Sequence, residues 1–552
     1  MAPTTTLDQR RWWALGALSV CLLVVGLDVT VLNVALPTLA TDLGASTSQL
    51  QWFANAYTLV LAALLLPAGL LGDRFGQKWL LLGALILFGA ASAACAFSSS
   101  PGQLIAARAA LGIGAAFLIP LSMSLLNVLF APGERARAMT IWVMANSLGI
   151  PLGPVLGGWL LDHYRWRSVF LINLPLVLVG AVAVAALVPS LRGHRSGRID
   201  VPGIVLSGAG LVVLTYGFVE AGERGWGDSL ALGCIAAGVM LLALFAFWQT
   251  RAVDALVDLT LFRSPRFTWG TVLATLASFA LMGLLFVLPQ LFQAVQGADA
   301  LGTGLRLLPI IGGLLVGAKL AERLVGAAGA RVTVATGFVL MVAGLAIGTF
   351  TDAGDGYGFV AVWVSLVGLS IGFTLPTVMD LAIGALIAER SGSGSGLIQA
   401  LRQVCGTIGV AILGTVLNST YRDSLDVSGL PAAAAGAARD SASGAVAIAA
   451  QSNSPALAES ARSAFVQGMN ATLWTSCGVA LLGLVLAVVF LPRGRKPQDG
   501  LAAMSADDGP REVVGVNPQM SRADELVGRP PPEDRPHNSG SSNGGRPTSA
   551  TA

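Results

Sequence analysis

Two charged side chains stand where charge is rare. Asp28 falls inside an apolar run over about residues 12–36, and Arg108 inside another over about 102–129. In a membrane-spanning helix an ionised side chain costs a few kcal/mol or more unless it is paired or wetted. An acid so placed can change its charge when its surroundings change, which is the chemistry of a proton or cation site. If the two runs are helices of opposite direction, Arg108 lies roughly 9 Å and Asp28 roughly 12 Å from the same membrane face. Matching depths predict a pair. Asn33 is roughly 140° further around the helix than Asp28, so it faces elsewhere and is a separate candidate for contact with a bound molecule.

Other patterns are mechanical. Gly69-Leu70-Leu71-Gly72-Asp73-Arg74-Phe75-Gly76-Gln77-Lys78 links two apolar runs. Its acid can cap a facing helix N-terminus and pair with a basic loop residue, so Gly69, Gly72, Asp73, Arg74, Gly76 and Lys78 form a candidate inner gate. Gly149, Gly153 and Gly157 recur every four residues, beside Pro154 and Gly158. In lipid such a stripe lets two backbones approach closely, and proline permits a bend. Tyr57, Trp142, Gln290 and Gln293, with Trp52, are candidate walls of a cavity, since aromatic faces suit cationic amphiphiles. No nucleophile–base set, cofactor loop or metal-ligand spacing is present. The five cysteines lie singly in apolar runs and the three histidines are scattered. Neither metal, cofactor nor enzymatic activity is expected.

The elements that must hold these residues follow from composition. Of 552 residues, 54% are hydrophobic and 11% charged, against roughly 25% charged in a soluble domain. So much apolar surface belongs in lipid. The net charge of +3 is too small to point to nucleic acid. Fourteen apolar runs reach the about 20 residues that span a bilayer, predicting an all-α integral membrane fold. Loop arginines and lysines divide nineteen to one side and six to the other. The positive-inside rule then puts both termini in the cytoplasm and the chain in the cell membrane.

An acid–basic, Gly-x-basic pattern over 320–331 weakly repeats the one over 69–78, and internal repeats are typical of secondary transporters. The expected organisation is a six-helix half over 1–190, two inserted helices over 191–250, and a second six-helix half over 251–491 with an external loop over 420–466. The polar 492–552 is expected to be a disordered cytoplasmic tail.

Four strings taken together are more specific: the decapeptide, Leu104-Ile105-Ala106-Ala107-Arg108-Ala109-Ala110-Leu111-Gly112-Ile113-Gly114, Gly149-Ile150-Pro151-Leu152-Gly153-Pro154-Val155-Leu156-Gly157-Gly158, and Leu27-Asp28-Val29-Thr30-Val31-Leu32-Asn33-Val34-Ala35-Leu36-Pro37. The set resembles the major facilitator superfamily, and within it the fourteen-helix drug:proton antiporters. Gln51-Trp52 with Tyr57, and the string from Arg402-Gln403 to Ala411, are similar to the same branch. Ala110 departs from it, standing where many relatives carry glutamine.

The resemblance implies proton-coupled efflux of lipophilic, often cationic or antibiotic-like compounds by alternating access, with Asp28 and Arg108 facing the central cavity. It implies that the Gly149–Gly158 string seals the outer side against ion leak. The expected partners are a drug-like or metabolite cargo, protons and the lipid bilayer, with the monomer as the working unit. An exporter of an endogenous metabolite or lipid is the rival on the same fold. A non-transporting membrane sensor is the rival of another class, and it would need a soluble output domain.

Reporter fusions after Lys78 and after Arg331 should report a cytoplasmic location, and a fusion within 425–460 an external one. A cytoplasmic signal from 425–460 would contradict the fourteen-span topology.

Overall fold

The structure is a computed structural model, described here for residues 4–492 apart from 44, 46, 191–199, 253–254, 387–390, 429 and 441. The tail over 493–552 and the basic residues of 191–199 lie outside the described residues. Fourteen helices among those described are long and apolar enough to cross a membrane.

In chain order the helices are α1 (Thr4–Asp42), α2 (Thr47–Phe75), α3 (Gln77–Ala96), α4 (Pro101–Leu129), α5 (Pro132–His163), α6 (Ser168–Leu171), α7 (Asn173–Leu187), α8 (Val201–Arg224) and α9 (Ser229–Gln249). They continue as α10 (Pro265–Gln290), α11 (Ala300–Arg306), α12 (Leu308–Ala328), α13 (Ala330–Gly348), α14 (Tyr357–Gly384), α15 (Ser391–Ser424), α16 (Ala432–Asp440), α17 (Ala442–Gln451) and α18 (Pro455–Phe490). Two spans are each built from two pieces: α6 with α7, broken at Ile172, and α11 with α12, broken at Leu307.

Helices suit this chain because lipid offers backbone groups no other partner. Their ends obey ordinary capping rules. Ser100, Asp228 and Ser454 each accept from the backbone N–H three residues on, and Pro101, Pro132 and Pro265 occupy first turns, where no N–H is needed. Gly76 (φ 93°) and Gly329 (φ 85°) turn α2 into α3 and α12 into α13. The left-handed conformation requires glycine at both. The repeated pattern therefore shares its turn but not its acid: Glu322 pairs with Lys319 on its own helix at 3.3 Å. The end of the bundle carrying both turns is called the Gly76 end below, and the opposite one the Ser100 end.

The region over 420–466 is not a simple loop. α15 runs to Ser424, α16 and α17 follow, and α18 begins at Pro455. Alanine, the strongest helix former, dominates here. Tyr421 donates to the Ala438 carbonyl at 2.8 Å, and the Asp426 N–H to the Ser460 hydroxyl at 2.9 Å, tying the segment down.

α8 and α9 pack on each other, and α8 lies against α2 and α15. Asp200 anchors them at the Gly76 end. It accepts from the Gly203 N–H, Trp248 Nε1, Gln249 Nε2 and the Leu256 N–H. Burial alone would raise its carboxyl; these donors outweigh that and leave it below the ordinary carboxylate range. Trp52, expected near a cavity, instead stacks on Tyr216 of α8 with ring centroids 6.3 Å apart.

α1 and α5 form a long seam at which the glycine stripe is unevenly used. A Cβ on Gly149 would lie 2.6 Å from the Gly26 carbonyl carbon, and one on Gly153 would overlap the Thr30 hydroxyl. On Gly157 it would make only ordinary contact, at 3.5 Å from Val31. Thr30 donates across the seam to the Gly149 carbonyl at 3.1 Å. Gly149→Ala should therefore destabilise the bundle by about 1–3 kcal/mol through overpacking, whereas Gly157→Ala should be nearly silent. Melting midpoints of the purified variants in one detergent would test this; equal midpoints would contradict the close seam.

Candidate functional site

The pair predicted from depth is present. Arg108 Nη1 lies 2.5 Å from Asp28 Oδ2, with both side chains almost wholly buried. Arg108 also donates through Nε to the Phe53 carbonyl at 2.9 Å, and its guanidinium lies 4.7 Å from the centre of the Tyr57 ring. The second carboxylate oxygen accepts from Asn173 Nδ2 at 3.2 Å, and the same amide nitrogen reaches the Ser92 hydroxyl at 3.1 Å. Ser92 donates onward to the Phe170 carbonyl. The amide oxygen of Asn173 is buried with no partner among the described residues. Five helices thus converge on one carboxylate: α1 supplies it, α4 its counterion, α2 the carbonyl and the ring, and α3 and α7 the amide relay.

Charge-assisted hydrogen bonds in a dry site are the strong ones. Removing one partner of a buried pair costs about 3–5 kcal/mol, because the other charge is left uncompensated. The pair is therefore stable when intact, and it can open without that cost only if one charge is neutralised.

Beside the pair lies a cavity of about 540 Å³, within the range of small-molecule sites. Val25, Gly26, Val29, Thr30 and Val34 of α1, Tyr57, Thr58 and Leu61 of α2, and Asn146 and Pro154 of α5 line one part. Met282, Leu285, Phe286, Pro289 and Gln293, Thr303 and Leu307, and Gln403 and Val410 of α15 line the other. Gln293 reaches the wall from a single π-turn, Leu291–Val295, that follows Pro289. Proline removes a helix hydrogen bond, and π-turns of this kind recur at functional sites. Tyr57 belongs to both regions, lining the cavity and covering Arg108.

The other expected wall residues fare differently. Trp142 is packed inside the bundle, donating from Nε1 to the Ser122 hydroxyl at 3.1 Å, and does not reach the cavity. Gln290 turns back to the Phe286 carbonyl at 2.9 Å and is not on the wall. The side chain of Asn33 lies outside the described residues. Asn173, Ser92 and Gln403 are the polar groups the sequence reading left without a role. The signal for the first was a lone asparagine within an apolar run.

At the Gly76 end, the gate residues separate by contact. Asp73 is buried and accepts from the backbone N–H groups of Gly392 and Ser393, both at 2.8 Å, in the first turn of α15. A carboxylate there satisfies orphan donors and complements the helix dipole. Gly69 faces Gly392 so closely that a Cβ on either would overlap the other's carbonyl oxygen. Gln77 Nε2 and the Ser391 hydroxyl both meet Ser124. Gly72 faces Leu121 of α4 instead, and Gly76 makes the turn. Lys78 donates to the Ala185 carbonyl at 2.7 Å, at the end of α7. The guanidinium of Arg74 lies 5.8 Å from the Phe75 ring. Of the helix-5 string, Pro154 lines the cavity, Gly149 and Gly153 form the seam, and Gly157 and Gly158 are buried beside it.

Comparison with known proteins agrees with this architecture. Residues 18–410 match the family model of the Major Facilitator Superfamily. The chain is 33% identical over 509 residues to the tetracenomycin C resistance and export protein of Streptomyces glaucescens, covering 90% of this chain and 94% of that one. It is 34% identical over 480 residues to the multidrug efflux pump LfrA of Mycolicibacterium smegmatis, covering 85% and 94%. The human organic anion transporter TETRAN superposes with a TM-score of 0.59 at 16% identity, over 86% of this chain and 99% of that one; at that identity the likeness concerns the fold alone. A fourteen-span helical chain with this family match and these relatives is an integral membrane protein of the major facilitator superfamily.

Proposed function

We propose that the protein exports lipophilic small molecules across the cell membrane in exchange for protons. The observation that carries this reading is the buried Asp28–Arg108 pair, joined to a ligand-sized cavity through Tyr57. The names of the relatives, resistance and efflux proteins, support the direction of transport. Both termini and the Gly76 end are cytoplasmic in this reading, following the basic loops, and the monomer is the working unit.

The two six-helix halves, α1–α7 and α10–α18, rock about the cavity, with α8 and α9 as the inserted pair. With the pair intact, the carboxylate stays charged. A proton taken up by Asp28 from the outer side neutralises the acid, releases Arg108 and discharges the cargo; when the site faces the cytoplasm the proton leaves, the pair re-forms under Tyr57, and new cargo binds in the cavity. The α1–α5 seam, too tight to admit water at Gly149 and Gly153, seals the outer half against proton leak. Asp73 latches α2 to the first turn of α15 and releases it when the cytoplasmic side opens.

Asp28→Asn keeps size and polarity but cannot titrate. The variant should insert normally yet lose efflux driven by an imposed pH gradient in proteoliposomes, across a panel of anionic, neutral and cationic fluorescent dyes. Undiminished gradient-driven efflux would place coupling elsewhere, and a wild-type protein that moves no dye in the panel would count against export itself.

Asp73→Ala removes two charge-assisted hydrogen bonds, each worth about 1.5–3 kcal/mol. Spin labels at positions 75 and 266, in a background without native cysteines, should then show a longer distance distribution. An unchanged distribution would mean that Asp73 does not latch this end.

A further inference from the structure

Two arginines near the cavity, Arg402 and Arg306, have no acidic hydrogen-bond partner among the described residues. Arg402, part-buried on α15, donates to the Ser278 hydroxyl at 2.9 Å and to Gln399 Oε1 at 2.7 Å, and touches Met379 Sδ at 3.8 Å. Every one of these partners is neutral. Asp380, next to Met379, instead faces the charge of Arg135. Arg402 and its partners are not on the cavity wall but in the layer behind it: Arg402 precedes the wall residue Gln403 on α15, and Ser278 lies one helical turn, about 6 Å, from the wall residue Met282 on α10, so an anion must displace these partners to reach the guanidinium. Arg306 sits between wall residues Thr303 and Leu307. It donates to Gln296 Oε1 at 2.9 Å and lies against the rings of Tyr357 and Phe292.

No aspartate or glutamate lines the cavity. The one carboxylate described beside it, Asp28, is held by Arg108, and that same guanidinium already lies over the face of Tyr57. A cationic cargo would find neither an acid nor that ring face free. An anionic one would find a guanidinium whose present partners are a hydroxyl, an amide and a thioether. Guanidinium is permanently charged and presents a fork of donors that matches a carboxylate or an acidic phenolate.

We infer that Arg402 is the binding site for an anionic group on the cargo, so that amphiphilic acids, rather than the cations suggested by the aromatic residues, are the favoured substrate class. This rests on the export reading above. The anion displaces Gln399 and Ser278 from the guanidinium, and its apolar body fills the wall between Phe286 and Val29. Arg306, nearer the Ser100 end, supplies a second positive charge along the exit.

The test uses the full chain in nanodiscs and equilibrium dialysis, with empty nanodiscs subtracted. The probes are naphthylbutanoate, its uncharged methylamide and naphthylbutylammonium. The wild type should bind the carboxylate about tenfold more tightly than the amide, a difference of about 1.4 kcal/mol, and the ammonium most weakly. Arg402→Gln should bring the carboxylate-to-amide ratio near one, while Arg402→Lys retains part of the preference. Tightest binding of the ammonium, or an unchanged ratio in Arg402→Gln, would overturn the assignment. If Arg402→Gln fails to fold, the wild-type order decides. Proteoliposome transport of the same probes is scored separately: a wild type that binds in the expected order but moves none of them contradicts export and leaves the anion site standing.

Discussion

A carboxylate and a guanidinium 2.5 Å apart, almost without solvent, place the strictest demand on this bundle. Buried charge is tolerated where it is paired or well hydrogen-bonded, and a buried ion pair needs both good geometry and further hydrogen bonds. Asp28 and Arg108 meet that demand by drawing on Phe53, Tyr57, Ser92 and Asn173, from α2, α3 and α7. Each of these helices must hold its depth and rotation for the pair to persist. The glycines between α1 and α5 set the lateral position of α1, and hence of Asp28. Close approach at Gly26, Gly149 and Gly153 leaves no space for a methyl group, so the acid sits on a part of the bundle with little freedom to slide.

The same close backbone approach recurs at one end of the bundle. At the Gly76 end, α2 meets α15 backbone to backbone through Gly69 and Gly392, and Asp73 completes the contact by accepting two N–H groups. Gln77, Ser124 and Ser391 extend the contact with side-chain hydrogen bonds. The cavity, by contrast, is lined with side chains of mixed character: valines, leucines, methionine and phenylalanine beside threonines, glutamines and an asparagine. Such a wall is mostly apolar, with a few polar groups that can fix an orientation.

Much of this was legible in the sequence, for a physical reason. Charge in lipid is so costly that Asp28 and Arg108 stand out from their runs, and a rise of 1.5 Å per residue is enough to match their depths. Asp73 was legible as a helix-capping acid because it follows small residues at a helix end. Rotation about the helix axis was not legible. Where lipid and protein interior are equally apolar, no polar stripe marks the inward face, so Trp142 and Gln290 were assigned to a cavity they do not reach. Asn173 was visible as a polar residue in an apolar run, but its partner could come only from the packing of α7 against α1 and α3. The region over 420–466 was read as a loop because it lacks the hydrophobicity of a span; its alanine content made helices all the same.

Exchange of cargo for protons requires the two to alternate, so cargo entering the cavity must drive the proton off Asp28. Infrared difference spectroscopy on the purified protein in nanodiscs, with and without a transported dye, reads that event directly through the C=O stretch of a protonated carboxyl group. At a pH low enough to protonate the cargo-free site, cargo binding should remove this band in the wild type, and no such loss should occur in Asp28→Asn. Cargo binding that leaves the band in place in the wild type, or the same loss of band in Asp28→Asn, would contradict coupling through Asp28.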